Sequence, residues 1–470
     1  MARVLLVMPQ LPQRLGAPYL GQLYLAASLK RAGHDVQAID LGARFAPGED
    51  RVVIDAVARE RPDAVAMTLF TYNAAAAYRL SRALVGKTRL LIAGGPHVTV
   101  RPEEPLGFGF DLAIAGEGEA SLVAALDNLD RGRGHTLVAG AHWDSGQGAA
   151  VSPISHLGAL APPHEGLDAF DLSQYWPEGA TEHPIPGGMM TSRGCPARCT
   201  FCANYVTGRV FRFRPAADVV AEMVTLSETH RIATVPFWDD AFTANRPRLR
   251  ALCEAITEEP ALADVTWTCI TPANMVKPVD LRVMREAGCT AINFGIESGD
   301  AGVLTTIQKG QRPAQVLEAV KAAKAEGMST VVNFMFGFPD EDVSALESTM
   351  QLMEDLAPYA DYFNSRGVLV PFPGTPVYEA HHETYGFTDW WLEPARIPAE
   401  LDERDPVKAL AALEHDPALD MDYFRYTDDV RDAIARCVRF KAHHNQTTVA
   451  RHAGVDLETW RARLQQSIGT

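Results

Sequence analysis

Short apolar runs alternate with amphipathic segments along the first 130 or so residues. The apolar runs have the length and composition of buried strands, and they lie at 3–9, 35–41, 63–70, 89–97 and 111–119. The segments between them repeat apolar residues at helical spacing, at 21–34, 52–62, 74–85 and from 120 onward. Buried strands that alternate with helices form a parallel sheet covered on both faces. The pattern predicts an α/β fold that begins with a doubly wound Rossmann-like domain over 1–130, with ligands at the carboxyl ends of the strands.

A second alternating region follows residues 131–185, a stretch rich in Gly, Pro, His and Ser that is typical of a connector. Apolar segments then predict strands at 187–192, 234–240, 265–271, 291–298, 331–339 and 362–372, with amphipathic helices between them. Successive strand–helix units of this kind predict a partial (β/α)6 barrel over 186–385. The functional residues of such barrels lie at the carboxyl ends of the strands.

The last part of the chain, 386–470, is acidic at first and then has helical periodicity, which predicts a mostly helical C-terminal region packed on the barrel. Its aromatic residues are expected in the core or a domain interface more than in a pocket, and these are Trp390, Trp391, Tyr423 and Tyr426. The acidic stretch at 400–420 is interpreted as a solvated face. A contact with a cationic substrate such as an amino sugar is the alternative.

Charge and composition exclude some classes of protein. A net charge of −16 argues against a sequence-independent grip on nucleic acid phosphates. No apolar run reaches the roughly 18 residues of a membrane span. The N-terminal run MARVLLVMPQLPQ lacks the length and cleavage site of a signal peptide, so a cytoplasmic protein is expected. Seven cysteines in 470 residues do not form a disulfide framework.

Three of those cysteines lie close together in TSRGCPARCTFCANY, at Cys195, Cys199 and Cys202. Structural zinc sites are closed by four protein ligands, whereas this loop offers three. Three thiolates can hold a four-iron cluster and leave one iron free for a small molecule. The loop also follows a predicted barrel strand, where active sites lie. A zinc site completed by a distant ligand such as His183 is the alternative.

The Cys-x3-Cys-x2-Cys spacing, with Phe201 before the last cysteine, resembles the radical S-adenosylmethionine (radical SAM) superfamily. Further segments match that family in the expected order: FWDDAFTANRPRL (237–249), AINFGIESGD (291–300), TIQKG (306–310), FMFGFPDED (334–342) and VPFPGTPVY (370–378). The resemblance implies that Cys195, Cys199 and Cys202 ligate a [4Fe-4S] cluster whose free iron binds S-adenosylmethionine. Reductive cleavage would give a 5′-deoxyadenosyl radical that abstracts hydrogen from a small natural-product-type substrate. It also implies an electron donor such as flavodoxin or ferredoxin.

The same resemblance indicates further residues that contact S-adenosylmethionine, namely Phe201, Asp239, Asp240, Glu297, Ser298 and Asn333. Two adjacent carboxylates at a strand end are costly when buried without partners, which favours a ligand or a cation near the aspartates. A solvated pair or a helix cap is the alternative for the aspartates, and plain loop packing is the alternative for Phe201. Arg193, just before the loop, is expected to neutralise cluster charge.

Segments of the N-terminal domain resemble the cobalamin-binding domain of the cobalamin-dependent radical SAM subgroup: 18–36, GGPHVTVRPEE (94–104) and DLAIAGEGE (111–119). The corresponding cobalamin contacts would be Gly94, Gly95, His97, Thr99, Gly116, Glu117 and Gly118. Glycine turns let a large ring approach the backbone. The Asp-x-His-x-x-Gly motif that supplies a cobalt ligand in mutases is missing, because no Asp lies two residues before His97. A turn-stabilising role for His97 and a domain without cobalamin therefore stay open.

The favoured function is cobalamin-dependent C-methylation. The alternatives are a cobalamin-independent radical dehydratase, deoxygenase, epimerase or cyclase on the same scaffold, and a non-enzymatic metal-binding protein. An epimerase would need a hydrogen-atom donor, for which Cys289 and Cys437 are candidates. The simpler expectation for the four cysteines outside the loop is a buried core position, and these are Cys253, Cys269, Cys289 and Cys437.

Overall fold

The computed structural model describes residues 1–12, 16–43, 49–175, 188–364, 367–393, 396–397 and 421–468. The strands are β1 (Arg3–Met8), β2 (Asp35–Asp40), β3 (Ala64–Thr68), β4 (Leu90–Gly94), β5 (Leu112–Ile114), β6 (Ala141–Trp143), β7 (Gly146–Gln147), β8 (Ser192–Arg193), β9 (Arg212–Phe213), β10 (Thr234–Pro236), β11 (Thr266–Pro272), β12 (Cys289–Glu297), β13 (Ser329–Phe334) and β14 (Tyr362–Asn364). The helices are α1 (Leu20–Arg31), α2 (Asp50–Glu60), α3 (Ala74–Leu84), α4 (Pro96–Val100), α5 (Gly118–Asp130), α6 (Ala216–His230), α7 (Arg246–Glu258), α8 (Pro278–Glu286), α9 (Ala301–Thr306), α10 (Pro313–Ala325), α11 (Val343–Leu356), α12 (Pro376–Tyr385), α13 (Asp428–His452) and α14 (Leu457–Ile468).

The first sheet has the strand order β2-β1-β3-β4-β5-β6-β7. The five strands β1 to β5 pair in parallel, which confirms the doubly wound fold expected from their continuous apolar runs. The predicted connector adds β6 and β7, which pair antiparallel at the edge. Sheets with the order 2-1-3-4-5 bind ligands where the winding direction switches, outside the carboxyl ends of β1 and β3.

The second sheet contains the parallel strands β10 to β14 in chain order, which confirms the barrel-like region. The predicted first barrel strand, 187–192, differs from expectation. Within 188–192, the part of this segment that the structure describes, Met189 forms one parallel bridge with Phe237 just after β10, and β8 turns away to pair antiparallel with β9. The chain leaves the sheet here because it must start the cysteine loop.

Residues along β11 to β13 alternate between full and partial burial. Trp267 and Cys269 are fully buried in the core cluster beneath the helices, whereas Thr268 and Ile270, which alternate with them along the strand, are half-buried. Successive side chains of a strand point to opposite faces, so the half-buried set faces the barrel interior. That interior is therefore less tightly packed than the outer core. Cys253, Cys269, Cys289 and Cys437 are all buried, as expected.

The C-terminal helix α13 packs against α11 and β14, and its Asn445 side chain bonds both backbone groups of Phe363. Trp390 and Trp391 are fully buried, and Trp390 donates to the Pro371 carbonyl. The helical region packed on the barrel is confirmed for the residues described, while the acidic 400–420 stretch lies outside them. Among described helices, none combines the length and apolarity needed to cross a membrane.

Candidate active site

The cysteine loop begins at the end of β8 and is held by backbone hydrogen bonds to two other segments. The Cys195 amide donates to the Gly208 carbonyl (3.1 Å), and the Thr200 amide donates to the Ile307 carbonyl (3.0 Å). Gly194 has a φ of +89°, and a Cβ added there would lie 2.3 Å from the Val210 carbonyl oxygen. Only glycine fits this position without moving backbone.

The three loop thiols are free and lie near one another. Burial raises the pKa of Cys195 and Cys199, and it raises the pKa of Cys202 to about 11. Cys202 nevertheless faces an open cavity and stays accessible to solvent. Neutral thiols must lose protons to ligate a metal, so metal binding at this loop would release protons. Among the residues that the structure describes, no group of three or more His, Cys, Asp or Glu side chains is arranged to hold a single metal ion. His183, the candidate for a distant zinc ligand, lies outside the described residues.

Lys309 is a site residue that sequence analysis missed, although the TIQKG segment containing it was noted. Its buried ammonium bonds Glu297 Oε1 at 2.6 Å and lies 5.8 Å from the centre of the Phe201 ring. Its positive charge lowers the pKa of each of the three loop thiols against the effect of burial. Lys309 is therefore the cation that favours thiolates in this loop.

Lys309→Met is expected to shift iron incorporation to higher pH, because the thiols lose the charge that favours their ionised form. The variant also leaves Glu297 buried without its partner, a loss that costs about 3–5 kcal/mol of unfolding free energy. Iron content against pH after anaerobic reconstitution, together with urea unfolding, measures both effects.

The double variant Lys309→Met/Glu297→Gln is the matched control, since it leaves no unpaired charge. It should regain stability but keep the pH shift. Normal iron incorporation at all pH values in both variants would contradict the role of Lys309.

The structure separates the two adjacent aspartates that follow β10. Asp239 is 1% exposed, and it accepts hydrogen bonds from the Thr191 amide (3.1 Å) and from the Thr191 and Ser192 hydroxyls. Burial raises its pKa, while Arg248 opposes that effect. Asp240 instead lies in the cavity wall and accepts from the Gly194 amide (3.0 Å) and the Thr207 hydroxyl (2.8 Å). Of the pair, Asp240 is the one a ligand can reach.

The other expected S-adenosylmethionine contacts lie at the ends of neighbouring barrel strands. Glu297 has a left-handed φ of 75° and pairs with Lys309, and Ser298 is fully buried against the Thr349 hydroxyl (3.1 Å). Asn333 faces the barrel interior, where its amide donates to the Phe294 carbonyl (3.0 Å). Phe201 packs edge-on against Phe338 with ring centres 5.7 Å apart. These side chains have protein partners. Asn333 and Phe201 are half-buried, whereas Glu297 and Ser298 are buried.

A cavity of about 1000 Å³ lies between the carboxyl edge of the first sheet and the cysteine loop. The N-terminal domain lines it with the turns after β4 and β5 and with α1. The barrel side contributes Cys202, Asn204, Thr207, Trp238 and Asp240. Trp238 is 53% exposed, which is unusual for such a large apolar side chain. The cavity therefore lies between two predicted regions: the carboxyl edge of the first sheet, where ligands are expected, and the end of the barrel where active-site residues are expected.

Five of the seven expected cobalamin contacts line this cavity: Gly94, Gly95, Gly116, Glu117 and Gly118. His97 and Thr99 are not part of its wall. His97 is fully buried, with its ring nitrogens 3.3 Å from Thr71 Oγ1 and Glu104 Oε1, so its place supports the turn-stabilising alternative. Thr99 accepts from the Gly116 amide and donates to the Gly95 carbonyl, both at 3.0 Å.

The residues present suit the groups that the sequence implies. Three free thiols of one loop, beside a buried cation, form a donor set for an iron–sulfur cluster. Glycines form the turns that border the cavity, and Gly95 has a φ of +103° with the Leu69 carbonyl oxygen 2.9 Å from an added Cβ. The cavity volume is at the upper end of the range of small-molecule sites, as a large ring requires.

Comparison with known proteins agrees with this geometry. Residues 189–353 match the radical SAM superfamily, and residues 16–126 match the B12 binding domain. An uncharacterized methyltransferase of Pyrococcus horikoshii is 30% identical over 394 residues, covering 80% of this chain and 82% of the relative. An anaerobic magnesium-protoporphyrin IX monomethyl ester cyclase of Cereibacter sphaeroides is 27% identical over 374 residues, covering 76% of this chain and 59% of that protein.

The fold also resembles a solved structure. The radical S-adenosylmethionine methyltransferase TsrM of Kitasatospora setae, with cobalamin and a [4Fe-4S] cluster bound, superposes with a TM-score of 0.65 at 19% identity, covering 82% of this chain and 76% of that one. At this identity the likeness concerns the fold alone. The matched domains and the Pyrococcus relative identify the chain as a radical SAM enzyme that carries a B12-binding domain.

Proposed function

We propose that this enzyme methylates an unactivated carbon of a small natural-product-type molecule in a cobalamin-dependent reaction. The observation that carries the proposal is the shared cavity, because the glycine turns of the B12-binding domain and Cys202 of the cysteine loop line the same space. In this proposal 1–130 holds cobalamin, 131–185 is a connector, 186–385 holds the iron–sulfur cluster, and 386–470 is a mostly helical region that packs on the barrel.

The residues have distinct tasks in this proposal. Cys195, Cys199 and Cys202 hold the cluster, which supplies one-electron chemistry when bound, while cobalamin supplies methyl-transfer chemistry. Asp240 offers the cavity a carboxylate in the turn after β10, where the methionine amino group of S-adenosylmethionine would bind. Asn333 would contact the same molecule from the barrel interior. The protein otherwise orients its ligands and excludes water.

The cavity wall indicates the chemical character of the substrate side. Tyr24, Met190 and Trp238 present mainly apolar surface, and Trp238 is exposed to the cavity. Apolar walls with a few polar groups favour an organic molecule over a highly charged one. A flavodoxin or ferredoxin would supply the electron in this proposal.

A radical cyclase is the second candidate, and the cyclase of Cereibacter sphaeroides is the observation that favours it. A cyclase would form a ring without adding a methyl group. The mass of the product therefore separates the two functions.

Anaerobic reconstitution with iron, sulfide and hydroxocobalamin tests the proposal. We expect about four irons and about one corrin per chain after desalting. Incubation with S-adenosylmethionine, a reductant and cell extract of small molecules should then form both 5′-deoxyadenosine and S-adenosylhomocysteine. Four irons without retained corrin, and 5′-deoxyadenosine without S-adenosylhomocysteine, would contradict methylation and favour the cyclase type of reaction.

A further inference from the structure

A buried ion-pair cluster joins the B12-binding domain to the start of the cysteine loop. Arg193 of β8 donates from Nη1 to Glu117 Oε1 (3.0 Å) and from Nη2 to Glu119 Oε1 (2.6 Å). Arg212 of β9 donates to the other oxygen of Glu117 at 2.8 Å. All four side chains are at most 8% exposed, and two cations balance two carboxylates. Such a cluster is held in one geometry because every charge has a partner.

The cluster ends on both sides at segments that border the cavity. Glu117 precedes α5 and Glu119 lies in its first turn, so both carboxylates sit at a helix N-terminus that favours negative charge. The Arg193 guanidinium also lies 4.9 Å from the centre of the Tyr24 ring of α1. Arg193 is thus a barrel residue whose side chain is enclosed by the N-terminal domain.

A continuous chain of contacts links the glycine turns to the cysteines. Thr99 ties the turn after β4 to the turn after β5 through Gly95 and Gly116. Glu117 follows Gly116 directly and binds Arg193. Arg193 is separated from Cys195 only by Gly194, whose conformation no other residue fits. A shift of either loop would therefore break a charged contact between side chains that are almost fully buried.

We propose that Arg193 is a positioning residue that fixes the cobalamin-side turns against the cysteine loop through Glu117 and Glu119. The inference rests on the proposed function and deepens it. The two donor nitrogens of one guanidinium fix the position of one cofactor site relative to the other. Guanidinium suits this task because its planar donors reach two carboxylates at once, whereas an ammonium is a single point of charge. The sequence suggested that Arg193 neutralises the charge of the iron–sulfur cluster. That role does not account for Arg193, because its charge is already paired with Glu117 and Glu119.

The test compares Arg193→Met and Arg193→Lys with the wild type after anaerobic reconstitution. Iron per chain reports the cysteine loop, and titration with cob(II)alamin reports the cobalamin side. The magnetic interaction between cob(II)alamin and the reduced cluster, seen as broadening in electron paramagnetic resonance, reports their register. Glu222→Gln is the matched control, since it breaks an equally buried 2.6 Å pair with Arg214 inside the barrel region.

We expect Arg193→Met to keep normal iron, to weaken cob(II)alamin binding about tenfold, and to lose most of the broadening. Arg193→Lys should change in the same direction by less, so it serves if the Met variant does not fold. The inference would be overturned if both Arg193 variants bound cob(II)alamin and showed broadening to the same extent as Glu222→Gln. It would also be overturned if the Arg193 variants lost iron while cob(II)alamin binding stayed unchanged. A wild type that binds iron but no corrin would instead refute the proposed function, and the inference with it.

Discussion

Replacing Cys202 by alanine is expected to abolish the iron–sulfur cluster. Three thiolates are the minimum for a four-iron cluster with one open iron, so two are insufficient. Cys202 is also the loop thiol that faces the cavity shared with the B12-binding domain. Iron should fall from about four per chain to a small residue after reconstitution and desalting. Formation of 5′-deoxyadenosine from S-adenosylmethionine should fall to background with it.

Cys437→Ala is the matched control for that experiment. Cys437 is 1% exposed on α13, and its thiol lies 3.9 Å from the Leu346 carbonyl oxygen. Burial raises its pKa to about 12, so it stays a neutral thiol. The control should keep iron and S-adenosylmethionine cleavage at the wild-type level. Full iron in Cys202→Ala would show that the ligand set is wrong, and turnover lost in Cys437→Ala would revive the hydrogen-donor hypothesis.

Gly194→Ala is expected to damage the cysteine loop without removing any ligand. The new Cβ would face the Val210 carbonyl oxygen at 2.3 Å and would force a left-handed residue at φ +89°. Backbone must move to relieve this contact, because neither atom belongs to a flexible side chain. We expect a loss of about 2–3 kcal/mol in unfolding free energy, and most of the iron with it.

Gly208→Ala separates the effect of a close Cβ contact from the effect of a left-handed backbone conformation. Gly208 has a φ of +72° in the same loop, but nothing lies within 4 Å of its added Cβ. This variant should lose only about 1 kcal/mol and keep its iron. Equal iron losses in the two variants would mean that conformation alone, and not the close approach of Val210, decides the loop geometry. Iron analysis and urea unfolding of the apoproteins measure both quantities.

The sequence predicted the fold well because its physical signals are local. Buried parallel strands produce continuous apolar runs such as 63–70 and 89–97, and amphipathic helices follow them at regular spacing. The first barrel strand was the exception. Its pattern indicated a strand at 187–192. In the structure the chain must turn to start the cysteine loop at Gly194, so Met189 forms a single bridge and the short strand β8 pairs with β9 instead.

The chemistry-bearing residues were predictable where one segment supplies them all. Cys195, Cys199 and Cys202 share a loop, so their spacing alone indicates an open cluster. Residues whose role depends on a distant partner were not predictable in the same way. Lys309 acquires its role only because the chain brings it to Glu297 and the thiols.

The adjacent pair Asp239 and Asp240 shows what only the tertiary structure decided. Sequence gives both the same neighbourhood, yet in the turn after β10 the two side chains reach different surroundings. One is buried beneath Thr191, and the other borders the cavity. The sequence by itself determined the family, the doubly wound parallel sheet and the cysteine loop, since these depend on local pattern. The structure decided which side chains meet across domains, because burial and ion pairing such as that of Arg193 with Glu117 depend on contacts between residues 76 positions apart.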